Sequence, residues 1–371
     1  MVTALCLTNP VPFSHAQVES HQVCTPFDWN MMPANEWVNV STCGDSPRKV
    51  FHGASTLAAE RRTVFFFGAD THDKDYDNSV YRFSLTDLGW SQDYEADSLE
   101  TYRVTPQGYP ATSTNRPWAM HAFDGWDYDP TTKTLVLVGF PKHATQAIQQ
   151  LKDRGKLNQS LKPSTWHYNP DTRSWKLIQT QTPQLFAGGF AWDPSGKHFI
   201  GHDGQRTYHY DPQSHKWDTH RASSIPGYHL RLVYDTFTNS LLSLGNNYSG
   251  QELWSYSSQS TQWERVKVNQ PPLPANGAAV AYGTHHHVLL YLANDGPTPY
   301  ENSSGKSATF LYKSQRHQWE RLPVKSPPLF GMNYLTQYDP VAKVFLHFEK
   351  PAITDEHIAV WAFRYRPTPS K

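Results

Sequence analysis

Two stretches decide the fold: "WSYSSQSTQWERV", Trp254–Val266, and "FLYKSQRHQWERL", Phe310–Leu322. Each places an aromatic nine residues before a Trp and continues Gln-Trp-Glu-Arg. The same nine-residue spacing joins Tyr81 to Trp90, Trp166 to Trp175 and Tyr208 to Trp217. One spacing repeated along the whole chain marks a structural repeat rather than shared composition. Two aromatics are left over: Trp361 has no Trp after it, and Trp37 has no aromatic partner before it. These orphans complete one further unit if the chain ends meet.

Each first aromatic sits in a short alternating segment, such as "VYRFSL", "TWHYNP" or "TFLYKS", which reads as a strand with one apolar face. A more continuous apolar run precedes it, for example "VFFFG" from Val64, "LVLVG" from Leu135 or "VLLYLA" from Val288. Such runs fit strands buried on both faces. A small-residue segment comes earlier still, set off by turn chemistry such as Asp-Pro or Pro-Ser-Gly. The unit is therefore four strands. Six units in a ring predict an all-β, six-bladed β-propeller over residues 37–367, closed by the Trp37 strand. The units are uneven, with the excess at Leu99–Met120 and Pro141–Pro163, and "KHATQAIQQLKDRGKLNQ" reads as a helix.

The aromatic-then-Trp pattern resembles Kelch repeats and the central domain of galactose-oxidase-like propellers, over nearly all of residues 37–367. Kelch repeats carry a Gly-Gly pair after the second strand. Here Gly68-Ala69, Gly139-Phe140, Gly201-His202 and Gly245-Asn246 stand instead. The resemblance is thus to a divergent bacterial branch that includes propeller polysaccharide lyases of the ulvan-lyase type. Tyr228-His229 is similar to the adjacent Tyr-His copper ligands of galactose oxidase, but no Cys follows residue 43 to form that enzyme's cross-linked cofactor.

Composition narrows the function. The 33 Lys and Arg balance 33 Asp and Glu, without the basic excess of a nucleic-acid-binding chain. No apolar run is long enough to span a bilayer. Residues 1–16 read as a signal peptide cut short, 17–36 as an extension and 368–371 as a tail, which points to a secreted or periplasmic protein. Cys24 and Cys43 fit one disulfide in an oxidising compartment, or two thiols. A monomer is expected.

A propeller sorts its loops. Entries to the inner strands and the loops joining second to third strands share one face; the other turns share the opposite face. Polar residues opening inner strands, His52, His121, His229, Asn276 and Asn333, therefore gather at one channel mouth. His72, His143 and Tyr248 join them from the second-to-third-strand loops, and Arg116, Trp118, Tyr228 and Arg231 lie nearby. Arg and His meet carboxylates and aromatics stack on sugar rings, so this set suits an acidic polysaccharide or oligosaccharide. His52, His121, His229 and Tyr228 are the acid–base candidates. Arg116, Arg231, Trp118, His72, His143, Asn276, Asn333 and Tyr248 are the substrate-binding ones. The chemistry they imply is β-elimination from a uronate. A non-catalytic glycan- or protein-binding propeller, and a sugar epimerase or mutarotase, are the alternatives.

No cofactor is required by this reading. "DKDYDN" alternates Asp73, Asp75 and Asp77 as calcium loops do, but lacks the Gly at the sixth position and the Glu at the twelfth, which leaves a weak structural-calcium candidate. "HHH" at His285–His287 falls in a turn of the opposite face.

Overall fold

The computed structural model describes residues 27–47, 52–73, 75–157, 159–220, 225, 229–244, 252–269, 279–294, 307–328, 335–349 and 357–367. Among the described residues, six antiparallel four-stranded sheets form the body of the molecule, beside one two-stranded hairpin. Blade 1 runs through Ala54–Ala58, Thr63–Phe67, Tyr81–Ser84 and Trp90–Gln92. Blade 2 comprises Trp126–Asp129, Thr134–Gly139, Ser164–Asn169 and Ser174–Ile178. Blades 3 and 4 begin at Gly189–Asp193 and Arg231–Asp235, blades 5 and 6 at Ala279–Gly283 and Thr336–Asp339. Each of these inner strands touches that of the next blade, and blade 6 touches blade 1, so the ring is complete. The fold is a six-bladed β-propeller.

The two chain ends close the ring. Trp37–Val40 pairs with Ala359–Phe363 as the outermost strand of blade 6. The register is identical to that of a continuous blade: Trp37 lies opposite Phe363, as Trp90 lies opposite Phe83 and Trp175 opposite Tyr168. The nine-residue spacing is thus an offset pair. The aromatic that faces each Trp is two residues further on, and Tyr210, Tyr256 and Tyr312 fill this place in blades 3 to 5.

The Trp side chains then join blades. Trp217 Nε1 donates to Thr165 of blade 2 at 3.0 Å, Trp263 to Thr207 of blade 3 at 2.9 Å, and Trp37 to Thr309 of blade 5 at 2.9 Å. Each Thr stands three residues before its own blade's Trp-facing aromatic. In the other three blades this position is Val80, Leu253 or Val360. Trp175 turns instead to the Tyr94 hydroxyl, while Trp319 and Trp90 Nε1 find no partner among the described residues.

Local chemistry explains the inner hairpins. Asp129, Asp193, Asp235 and Asp339 end inner strands and accept a hydrogen bond from the backbone N–H two residues later, at 2.8 to 2.9 Å. Such Asx turns hold the chain reversal locally, and Asp193 and Asp339 also accept from Ser258 and Arg62 of the neighbouring blades. In the channel, Asp124 of blade 2 accepts from the N–H groups of Phe190 and Leu232 and from Arg231, so one carboxylate ties blades 2, 3 and 4. The two long excesses in the sequence fold together. A small hairpin, Tyr102–Val104 with Pro110–Thr112, and the helix Thr145–Asp153 share an apolar cluster of Tyr102, Trp118, Ala144, Ala147 and Leu151.

Candidate functional site

The site is built from four segments of blades 1 and 2. His52 precedes the inner strand of blade 1, and its carbonyl accepts from the Ala122 and Phe123 N–H groups, each at 3.0 Å. This locks the entry to blade 2, with His121, against the entry to blade 1. The Ala69 N–H bonds the Met120 carbonyl at 3.0 Å, which adds the second-to-third-strand loop of blade 1. Gly68 makes that approach possible. Its φ is +117°, and a Cβ there would lie 2.9 Å from Ala122 Cβ and 3.0 Å from Gly53 Cα.

From this junction four imidazoles converge. The His52 and His121 rings stack with centroids 4.2 Å apart and planes 8° apart. His72 lies 4.7 Å from His121 and 4.2 Å from His143, while His121 and His143 stack at 4.9 Å. Asp70 sits behind them: its Oδ1 is 3.5 Å from His52 Nδ1 and 3.6 Å from His121 Nε2. It also accepts from the His72 N–H at 3.2 Å. His121 and Asp70 are buried, His52 and His143 half-buried, and His72 exposed, so the group opens to solvent on one side.

Electrostatics set the charge state of Asp70, His121 and His143. Burial alone would raise the Asp70 carboxyl, but hydrogen bonding and charge from His121 and His52 outweigh it and hold the carboxyl well below its usual range. Burial lowers His121, helped by His52 and His72 and opposed by Asp70. Burial, then the neighbouring His72, His121 and Lys142, push His143 down to about 4. At neutral pH the site thus sets an ionised Asp70 beside His121 and His143 imidazoles that hold free lone pairs. Among the described residues Lys142 adds a cation at this rim, its ammonium 4.7 Å over the Phe186 ring, itself 5.2 Å from His143.

Backbone geometry marks the same rim. His52, Phe123, Ala187 and His229 have φ of 58°, 46°, 54° and 60° at the entries to the first four inner strands. The same left-handed conformation recurs in turns of the opposite face, such as Lys133, Lys197 and Asn239, so here it marks an entry turn repeated from blade to blade. The matching position in blade 2 is therefore Phe123, and His121 stands two residues earlier.

Other expected residues are placed elsewhere. His229 is buried and stacks on Phe123 at 5.0 Å, one ring away from His52 and His121. Arg231 is buried and engaged by Asp124, so it ties blades rather than facing the mouth. Arg116 pairs with Asp97 at 3.4 Å and lies over the Tyr94 ring, anchoring the inserted hairpin. Trp118 is fully buried, with Nε1 bonded to the Ala111 carbonyl; its ring is the core of the insert and offers no face to a sugar. In the acidic loop, Asp75 accepts from the Asp77 N–H, and Asp77 from the Ser79 N–H and the Tyr81 hydroxyl, which is turn chemistry. The Asp73 side chain, Tyr228, Tyr248, Asn276 and Asn333 lie outside the described residues. His285–His287 form the turn between the first two strands of blade 5, on the opposite face. Asp70 lies outside the candidates that the sequence offers, and only the Gly68-Ala69 junction just before it marks its loop. Cys43 is disulfide-bonded, its partner outside the described residues.

No protein-family profile matches this chain, and no curated protein is significantly similar to it.

Proposed function

We propose that the protein is a polysaccharide lyase that cleaves a uronate-containing chain by β-elimination at the mouth formed by blades 1 and 2. The observation that carries this reading is the His52–Asp70 pair. Asp70 faces Nδ1 of His52, which favours the tautomer with its proton there and its lone pair on Nε2. That is the arrangement of a positioned general base, and contacts of this length tighten when substrate excludes water.

In the proposed step, Nε2 takes the C5 proton of the uronate. The C5–H electron pair forms the C4=C5 double bond, the C4–O4 bond breaks, and the imidazolium returns its proton to the departing O4. Negative charge grows on the uronate carboxylate as C5–H breaks, so a nearby positive group lowers the barrier. With Arg231 and Arg116 engaged in the fold, Lys142 is the cation that the described residues of this mouth offer to that carboxylate. The Kelch-like Trp pattern and the Cys43 disulfide support an exported propeller of the lyase-bearing kind.

The test is incubation with alginate, ulvan, pectin and glycosaminoglycans, reading ultraviolet absorbance of the conjugated product. The reading expects a steady rise with at least one of them. Reducing ends without that absorbance would indicate a hydrolase, and retention without any product would indicate a binding propeller.

A further inference from the structure

We propose that His72, His121 and His143 form a binding site for one divalent transition-metal ion of the zinc class, with Asp70 as the carboxylate partner of His121. The three residues each offer a ring nitrogen, and these nitrogens lie within 4.8 Å of one another. Around a tetrahedral ion with bonds of about 2.1 Å, neighbouring nitrogens sit about 3.4 Å apart. Small ring rotations close that gap, and the exposed His72 and half-buried His143 are free to make them.

Three features mark a metal site rather than a stack of aromatic rings. The histidines come from three separate segments: the second-to-third-strand loops of blades 1 and 2 and the inner-strand entry of blade 2. Stacking alone does not require all three ring types to be imidazole. Next, His121 presents Nε2 to Asp70 at 3.6 Å, which leaves Nδ1 as its ligand atom. A metal-bound His characteristically gives its second nitrogen to a carboxylate, which fixes the ring and raises its basicity. Finally, the loop bearing His143 is braced from outside, because the Gln146 N–H bonds the Tyr76 hydroxyl at 3.0 Å and the helix packs on Trp118. This bracing gives the two inserts a purpose.

The donor set selects the ion. Imidazoles suit zinc, copper, iron or nickel, whereas calcium and magnesium want oxygen ligands. Three protein ligands leave a further coordination position open, as in catalytic zinc sites. In that position the ion would bind the uronate carboxylate as a Lewis acid, close to His52. This role rests on the elimination reading; binding of the ion does not, and it is measured without any saccharide.

The experiment uses the full chain stripped with a chelator and titrated with Co²⁺, then Zn²⁺, by visible spectroscopy and calorimetry. The expected result is one ion per chain, with ligand-field bands that Zn²⁺ abolishes. His72→Ala and His143→Ala should each weaken binding further than the about 10–100-fold expected for Asp70→Asn. Simultaneous replacement of His285, His286 and His287 by Ala should leave the titration unchanged. Circular dichroism checks the fold of each variant, and His143→Gln provides a milder second change. Absence of one-to-one binding, binding indifferent to His72→Ala and His143→Ala, or loss of binding with the His285–His287 variant would overturn the proposal.

Discussion

Thr309→Val tests how the ring is held closed. Thr309 is 1 % exposed and accepts the Trp37 indole N–H at 2.9 Å, and Trp37 is 7 % exposed on the strand that closes blade 6. Valine has the shape of threonine, so no cavity opens. What is lost is one hydrogen bond, and what remains is a buried indole donor without a partner. That costs about 1–3 kcal/mol. The reverse change supplies the control. Val360 holds the matching place before Trp90, both residues belong to one apolar cluster, and Trp90 Nε1 has no partner among the described residues. Val360→Thr should therefore stabilise the protein, by about 0.5–1.5 kcal/mol. Urea unfolding with reversibility checked gives both numbers as midpoint shifts at unchanged slope. If Thr309→Val is neutral while Val360→Thr destabilises, the hydroxyl–indole pairs are not what joins the blades.

Three further outcomes follow from the same geometry. Burial pushes His167 and His202 each down to about 4, while an unfolded His titrates near 6.5. As pH falls through that window the unfolded chain takes up protons that the folded one refuses. Stability present above about pH 6.5 should thus be lost progressively toward about pH 4, at roughly 3 kcal/mol for each His; a melting temperature flat from pH 7 to pH 4 would refute this. Gly68→Ala should lower the melting temperature and any turnover together, because both its positive φ and the contact with Ala122 exclude a Cβ; an unchanged melting curve would show that the junction yields. Asp70→Asn should slow elimination about 10²–10⁴-fold while keeping substrate retention, measured by kcat against KM, since it removes the group that sets the His52 tautomer.

The architecture was legible because it rests on local periodicity. The nine-residue spacing is a property of one hairpin, and the orphans Trp37 and Trp361 declared the closure without any long-range information. The face of the ring that carries His52, His72, His121 and His143 was legible too, since strand connectivity alone places loops on faces. What distance decides was not. Arg231 looked like a substrate cation until Asp124, 107 residues earlier, was found beside it. Trp118 had the composition of a sugar platform but serves as the core of an insert whose second half, the helix Thr145–Asp153, comes later in the chain. Asp70 gave little warning because a carboxylate in a loop is ordinary; only its position between two imidazoles sets it apart.

In the proposed reaction His52 moves the proton. The most direct measurement is the rate of unsaturated-product formation by His52→Gln beside His229→Gln, each checked by thermal melting. We predict a loss of at least about 100-fold for His52→Gln, and no more than a few-fold for His229→Gln, which lies one ring away behind Phe123. A folded His52→Gln variant that keeps the full rate would contradict the central claim.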